Sequence, residues 1–137
     1  MEMTACDIVE MLKKDIMREK QAIYDYEHLS KLCETAEFRR QMLAIRKQEM
    51  LHYDMLQEIY ADITGREYTP GEVREYTVTD KCEGLKQAIC SELKDSEYYS
   101  ELACCLPCMR HKEKIIAILD DEKCHARILF KHYQESC

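Results

Sequence analysis

The sequence is poor in chain-breakers: its 137 residues include 3 Gly and 2 Pro. An all-β sandwich or barrel needs turn residues at short intervals, so that class is excluded, as are collagen-like and Gly/Pro-rich disordered chains. It also lacks positive charge. The 20 Lys and Arg face 27 Asp and Glu, giving a net charge of -7. With no basic patch to neutralise phosphates, no nucleic-acid partner is expected. No apolar run approaches the ~20 residues of a membrane span. The opening MEMTACDIVEMLKK has no basic stretch followed by an apolar one, so neither a membrane nor an export signal is expected. Cysteine is abundant instead, at 9 residues. Without an export signal these read as reduced thiols in a cytoplasm rather than as a disulfide framework. The length is that of one domain, residues 1–137, large enough to form a core without staples.

Helical periodicity dominates what is present. Ile8, Leu12, Ile16, Ile23, Tyr26 and Leu29 recur at helical spacings and predict a helix over 4–33 with Thr4 as its N-cap. Leu43, Ala44, Met50, Met55, Leu56, Ile59 and Ile63 predict a second over 36–63, capped by Thr35 and stopped by Gly65. Asp80 with Glu83 opens a third over 81–105. Ile115, Ile118, Leu119, Ile128 and Leu129 mark a fourth over 110–135, and Pro107 breaks the chain before it.

A shift of 73 residues superimposes the two halves. Leu12 falls on Leu85, Ile16 on Ile89, Leu29 on Leu102 and Leu56 on Leu129. These apolar matches are what any duplicated helical hairpin would keep. The polar matches need a different explanation: Glu19 with Glu92, Glu49 with Glu122, His52 with His125.

Those six residues form a pattern. Glu49 and His52 are three apart on a helix, as are Glu122 and His125, so each pair projects from one face. Apolar neighbours turn those faces inward. Glu19 and Glu92 also sit on apolar stripes, where a carboxylate is costly unless compensated. Heights agree too. The midpoint of Glu19 and Glu49 is residue 34, and that of Glu92 and Glu122 is residue 107, both at predicted turns. Each hairpin thus sets one Glu level with one Glu-x-x-His. Four carboxylates and two neutral imidazoles balance two divalent ions, the di-iron or di-manganese carboxylate arrangement of helical bundles.

This pattern resembles the ferritin-like superfamily, and its rubrerythrin-like branch in particular. The resemblance spans about residues 5–135. It rests on Glu19 with Tyr26, Gln48-Glu49-Met50-Leu51-His52, Glu92 with Tyr99, and Asp121-Glu122-Lys123-Cys124-His125-Ala126. It implies two iron ions, with manganese or zinc possible. Glu49 and Glu122 would bridge the ions, Glu19 and Glu92 would be terminal, and His52 and His125 would serve one ion each. Tyr26 and Tyr99 would hydrogen-bond ligand carboxylates. Where rubrerythrins often add a Glu three residues after the third-helix ligand, this chain has Asp95. Their rubredoxin domain, with two Cys-x-x-Cys pairs, is also not matched: one such pair occurs, Cys105-Leu-Pro-Cys108.

The expected fold is all-α: a ferritin-like four-helix bundle of two duplicated antiparallel hairpins, about 4–63 and 81–135, joined by a crossover linker, 64–80. That linker can extend to roughly 55 Å, beyond the roughly 42 Å of the second helix. The resemblance implies reduction of hydrogen peroxide or dioxygen by an oxidoreductase that draws electrons from an external donor such as a rubredoxin-like protein, in a homodimer. The alternatives are a ferroxidase or iron store, and a non-catalytic metal-binding module. His28, His111 and His132 read as solvated, and Cys90 and Cys124 as small core residues. In a crossover bundle Cys104, Cys105 and Cys108 share an end with Cys6. The four are either a second metal or redox site, or reduced cysteines with no common role.

Overall fold

The computed structural model describes residues 7–33 and 35–137. Four long helices form, α1 (Ile8–Leu29), α2 (Ala36–Thr64), α3 (Lys81–Cys105) and α4 (Met109–Ser136), with a 3-10 turn at Ser30–Leu32. No strand occurs among the described residues.

The ends follow local chemistry. Asp7 caps α1 by accepting from the Glu10 backbone N–H, so the cap belongs to Asp7. Thr4, the expected cap, lies outside the described residues. Thr35 caps α2 through the Phe38 N–H at 3.3 Å, and Asp80 caps α3 through the Glu83 N–H at 2.9 Å. Each supplies an acceptor to a helix-end donor that has no intrahelical partner. Gly65 ends α2 in the left-handed region, with φ 83, where a side chain would be strained.

The linker runs the length of α1. Lys13 sits over the Tyr68 ring, Lys20 donates to the Gly71 carbonyl, and Gln21 pairs with both backbone groups of Arg74. Further along, His28 meets Tyr76. Gly84 then brings α3 against Leu29 and Tyr76: a Cβ there would lie 2.7 Å from Leu29 and 2.8 Å from Tyr76. The chain therefore crosses the bundle before α3 begins, as its length allowed. α1 packs mainly on α2 and α3 mainly on α4, and the hairpins meet along α1–α3 and α2–α4.

Two apolar clusters result, one towards each end. The first contains Leu12, Ile16, Leu56, Ile59, Leu102 and Ile115. The second contains Leu29, Phe38, Met42, Ile45, Leu85 and Leu129. The layer between them is polar.

Several expectations change. Leu43, Ala44, Met50 and Ile63 are exposed. The true α2 stripe is Met42, Ile45, Glu49, His52, Leu56 and Ile59, and Leu43 and Met50 lie one position off it. His111 is buried, 5% exposed, and its Nε2 lies 3.0 Å from Asp62. His28 and His132 are half-buried rather than solvated. Cys90 and Cys124 are exposed, because each lies off its helix's inward stripe. Cys82 and Cys137 are joined by a disulfide that ties the start of α3 to the end of α4, so the expectation of reduced thiols fails there. No described helix is long and apolar enough to cross a membrane.

Candidate metal centre

The polar layer holds all six expected ligands. Glu19 comes from α1, Glu49 and His52 from α2, Glu92 from α3, and Glu122 and His125 from α4. Each is buried, none more than 2% exposed. Their positions follow from the stripes that carry them: Glu19 continues Leu12 and Ile16, and Glu49 continues Met42 and Ile45. Apolar packing above and below keeps these side chains buried.

They converge as two overlapping groups, one of Glu19, Glu49, His52 and Glu122, the other of Glu49, Glu92, Glu122 and His125. Within each, one ligand atom per residue lies within 4.8 Å of the others. Glu49 and Glu122 belong to both. The imidazoles lie side by side, 6.1 Å between ring centroids. His52 Nδ1 is 2.9 Å from Glu49 and 3.6 Å from Glu122. His125 Nδ1 is 3.2 Å from Glu122 and 3.5 Å from Glu92.

The far side of each imidazole is also held. His52 Nε2 lies 2.8 Å from Asp121, and His125 Nε2 donates to the Gln48 side-chain carbonyl. A neutral ring with its proton on Nε2 turns the bare Nδ1 lone pair towards the carboxylates, as a metal ligand requires. Burial holds the His52 pKa below its usual value, which keeps that ring neutral. Gln48 and Asp121 had no assigned role in the sequence reading. The signal was there: they are 73 apart, and each directly precedes a ligand Glu.

Tyr26 donates to Glu92 and Tyr99 to Glu19, both at 2.5 Å. Each tyrosine therefore serves the opposite hairpin. Burial, reinforced by neighbouring carboxylates, raises both phenols well above their ordinary pKa, so they stay protonated donors.

Four buried carboxylates in one layer repel one another. Burial, then the neighbouring carboxylates, push Glu19 and Glu49 well above the ordinary range, and Glu122 up to about 10. Without a cation these acids hold protons, and a protonated Glu49 donates to His52 Nδ1. Even so, Glu19 Oε1, Glu49 Oε2, Glu92 Oε1, both Glu122 oxygens and His125 Nδ1 are buried with no hydrogen-bond partner. Orphaned buried polar atoms are costly and demand an explanation. Here they are all anionic or lone-pair donors gathered at one point, and that donor set fits divalent metal ions.

Asp95 belongs to neither ligand group. It lies 3.7 Å from Arg18, which also bonds Asp15. Burial raises Asp95 to about 7 and Asp15 to about 6, with Arg18 opposing the shift in each. Asp15 is the other residue the sequence reading passed over, although it lies four before Glu19 on the same face of α1. Cys104, Cys105 and Cys108 form no metal-holding group among the described residues, and Cys6 lies outside them.

Comparison with solved structures agrees with this architecture. A protein from Thermotoga maritima, described provisionally as a ferritin-like diiron-carboxylate protein, superposes with a TM-score of 0.83 at 23% identity, over 99% of this chain and 100% of that one. The fold is ferritin-like. A hypothetical protein from Pyrococcus furiosus superposes with a TM-score of 0.82 at 21% identity, over 93% of this chain and 89% of that one. No family model matches the sequence, and no curated protein matches it. In this ferritin-like bundle the buried Glu/His cluster occupies the middle layer, where it is compatible with a metal site.

Proposed function

We propose that the chain is a di-iron oxidoreductase that reduces hydrogen peroxide, or dioxygen, with electrons from an external donor. The observation that carries the dinuclear reading is the sharing of Glu49 and Glu122 between two ligand groups. One shared carboxylate could be an accident of crowding. Two, one from each hairpin, support a pair of adjacent ions that both carboxylates would serve.

The side chains divide the work. Glu49 and Glu122 would span both ions. Glu19 and His52 would complete one set, Glu92 and His125 the other. Asp121 and Gln48 fix the two rings, and Tyr99 and Tyr26 fix the terminal carboxylates. The two apolar clusters keep bulk water from the layer. Two irons held by these residues would supply the two electrons that, with two protons, convert peroxide to two waters, and the external donor would return those electrons. A rubredoxin-like protein fits the donor role, and the rubrerythrin-like reading includes a homodimer.

The test begins with metal per chain after anaerobic Fe(II) loading. About two irons are expected. Glu49→Ala or Glu122→Ala should abolish both, since each serves both ions, whereas Glu19→Ala should spare one. Rapid mixing of the loaded protein with peroxide and with dioxygen then separates the reactions. Faster oxidation by peroxide supports the peroxidase reading. Oxidation by dioxygen alone, with repeated turnover of added Fe(II), would replace it with a ferroxidase. No bound metal in a stable helical protein would end both readings.

A further inference from the structure

A cavity of about 460 Å³ lies between α1, α3 and the linker. Its lining includes Glu49, Glu92 and Tyr26, while neither ligand histidine contributes. Glu49 Oε2 and Glu92 Oε1, both buried, have no hydrogen-bond partner. The cavity thus ends beside two carboxylates of the ligand layer, which stay buried beneath it.

Size is the first argument. A water takes about 30 Å³ in the liquid, and peroxide is only slightly larger. Sites for organic molecules run from roughly 300 to 1,000 Å³. This cavity belongs to the second class, and an oxidant alone would not require it. The walls are the second argument. Ala22 and Ala88, with small side chains, leave room between the opposing faces, and Tyr76 and Tyr98 supply aromatic surface. Charge is the third. Arg18, Arg74 and Lys94 are matched by Asp25, Glu72 and Asp95, so the wall selects neither sign. The floor carboxylates are balanced by the ions they would hold.

We propose that this cavity binds an uncharged aromatic organic molecule, of indole size or somewhat larger, with one edge towards the Glu49 and Glu92 side of the ligand layer. The proposal rests on the dinuclear reading above for what lies at its floor. It makes the linker a wall of the site through Tyr76, and it sets an organic guest beside the ligand layer.

Indole is the probe. The protein has no tryptophan, so indole fluorescence reports the probe alone. Titration of indole with protein, followed by anisotropy, is expected to show saturable binding at one site per chain. In protein loaded with Mn(II), the proton relaxation of bound indole should be strongly enhanced by the nearby paramagnetic ions. Ala88→Phe fills the cavity and should weaken indole by at least roughly tenfold, about 1.4 kcal/mol, with Mn(II) per chain unchanged. Ala22→Phe, from the opposite wall, should do the same and serves if Ala88→Phe fails to fold by circular dichroism. Benzoate and tryptamine, of similar shape but charged, should bind more weakly than indole.

Absence of saturable indole binding would overturn the proposal. So would binding that both cavity-filling variants leave intact, tighter binding of either charged analogue, or no relaxation enhancement with Mn(II) in place. Failure of Mn(II) to bind would count against the dinuclear reading instead. The anisotropy titration and its variants would then still decide whether the cavity is a site.

Discussion

Tyr99 of α3 donates its hydroxyl to Glu19 of α1 at 2.5 Å, a contact made across the seam between the hairpins. It is the only hydrogen bond to the Glu19 carboxylate among the described residues, since Oε1 has none. Tyr99→Phe therefore strands both oxygens in the core. The expected cost is about 1–3 kcal/mol in metal-free stability and roughly 10–100-fold in metal affinity. Urea denaturation and competition with a chelator measure the two. Unchanged metal affinity would mean that Tyr99 is core packing and no more.

Asp121 should govern one half of the centre. Its carboxylate accepts from His52 Nε2 at 2.8 Å and so orients the ring's other nitrogen. Asp121→Ala is expected to weaken metal binding roughly 10–100-fold, with helix content retained because the side chain is not part of either apolar cluster. Gln48→Ala should act in the same direction on the His125 half. Calorimetric titration with Mn(II) would resolve whether one step or both weaken.

The metal-free protein should lose stability as pH rises. Glu122 titrates at about 10, Asp95 at about 7 and Asp15 at about 6 in the folded chain, and burial is the largest cause for each. Unfolded, all three ionise near ~4. Between those values the folded chain binds more protons than the unfolded one, so stability falls with pH. Their contribution is fully present below the unfolded pKa and is lost as pH climbs through the folded values. Melting curves of chelator-treated protein at about pH 5, 7 and 9 should shift steadily downward. With metal bound the trend should reverse, because the ions displace those protons and bind better as pH rises.

The linker should loosen when one amide is removed. Gln21 accepts from the Arg74 N–H at 2.8 Å and donates to the Arg74 carbonyl at 3.0 Å, a two-point clasp. Gln21→Ala is expected to cost about 1 kcal/mol. Hydrogen exchange should accelerate around residues 70–76 and stay unchanged in the helices. Equal acceleration throughout would show that the clasp supports the whole bundle instead.

Much of this was legible in the sequence because a helix projects chemistry onto a face. Glu49-x-x-His52 and its copy at Glu122 were visible by spacing, and the length of the linker announced the crossover. The errors have the same root. Polar Glu49 and His52 interrupt the apolar core stripe of α2, while apolar Leu43 and Met50 lie one position off it and face solvent. Gln48 and Asp121 stood out only by their shared place before each ligand Glu, and their role depends on reaching a ring on a different helix. The partnership of Arg18 with Asp95 spans α1 and α3, and the Cys82–Cys137 disulfide spans 55 residues. No local pattern encodes such distant pairings.

The seam between the hairpins has one further consequence. Helices within a hairpin pack extensively, while those of different hairpins touch more sparsely. Both ligand groups straddle that seam, each taking a carboxylate from the far side. An ion held there would act as a rivet through the waist of the bundle, closing a long loop as a covalent cross-link does. Unlike such a link, it can be withdrawn without breaking a covalent bond. How firmly the two halves grip each other would then be set by the supply of metal around the protein.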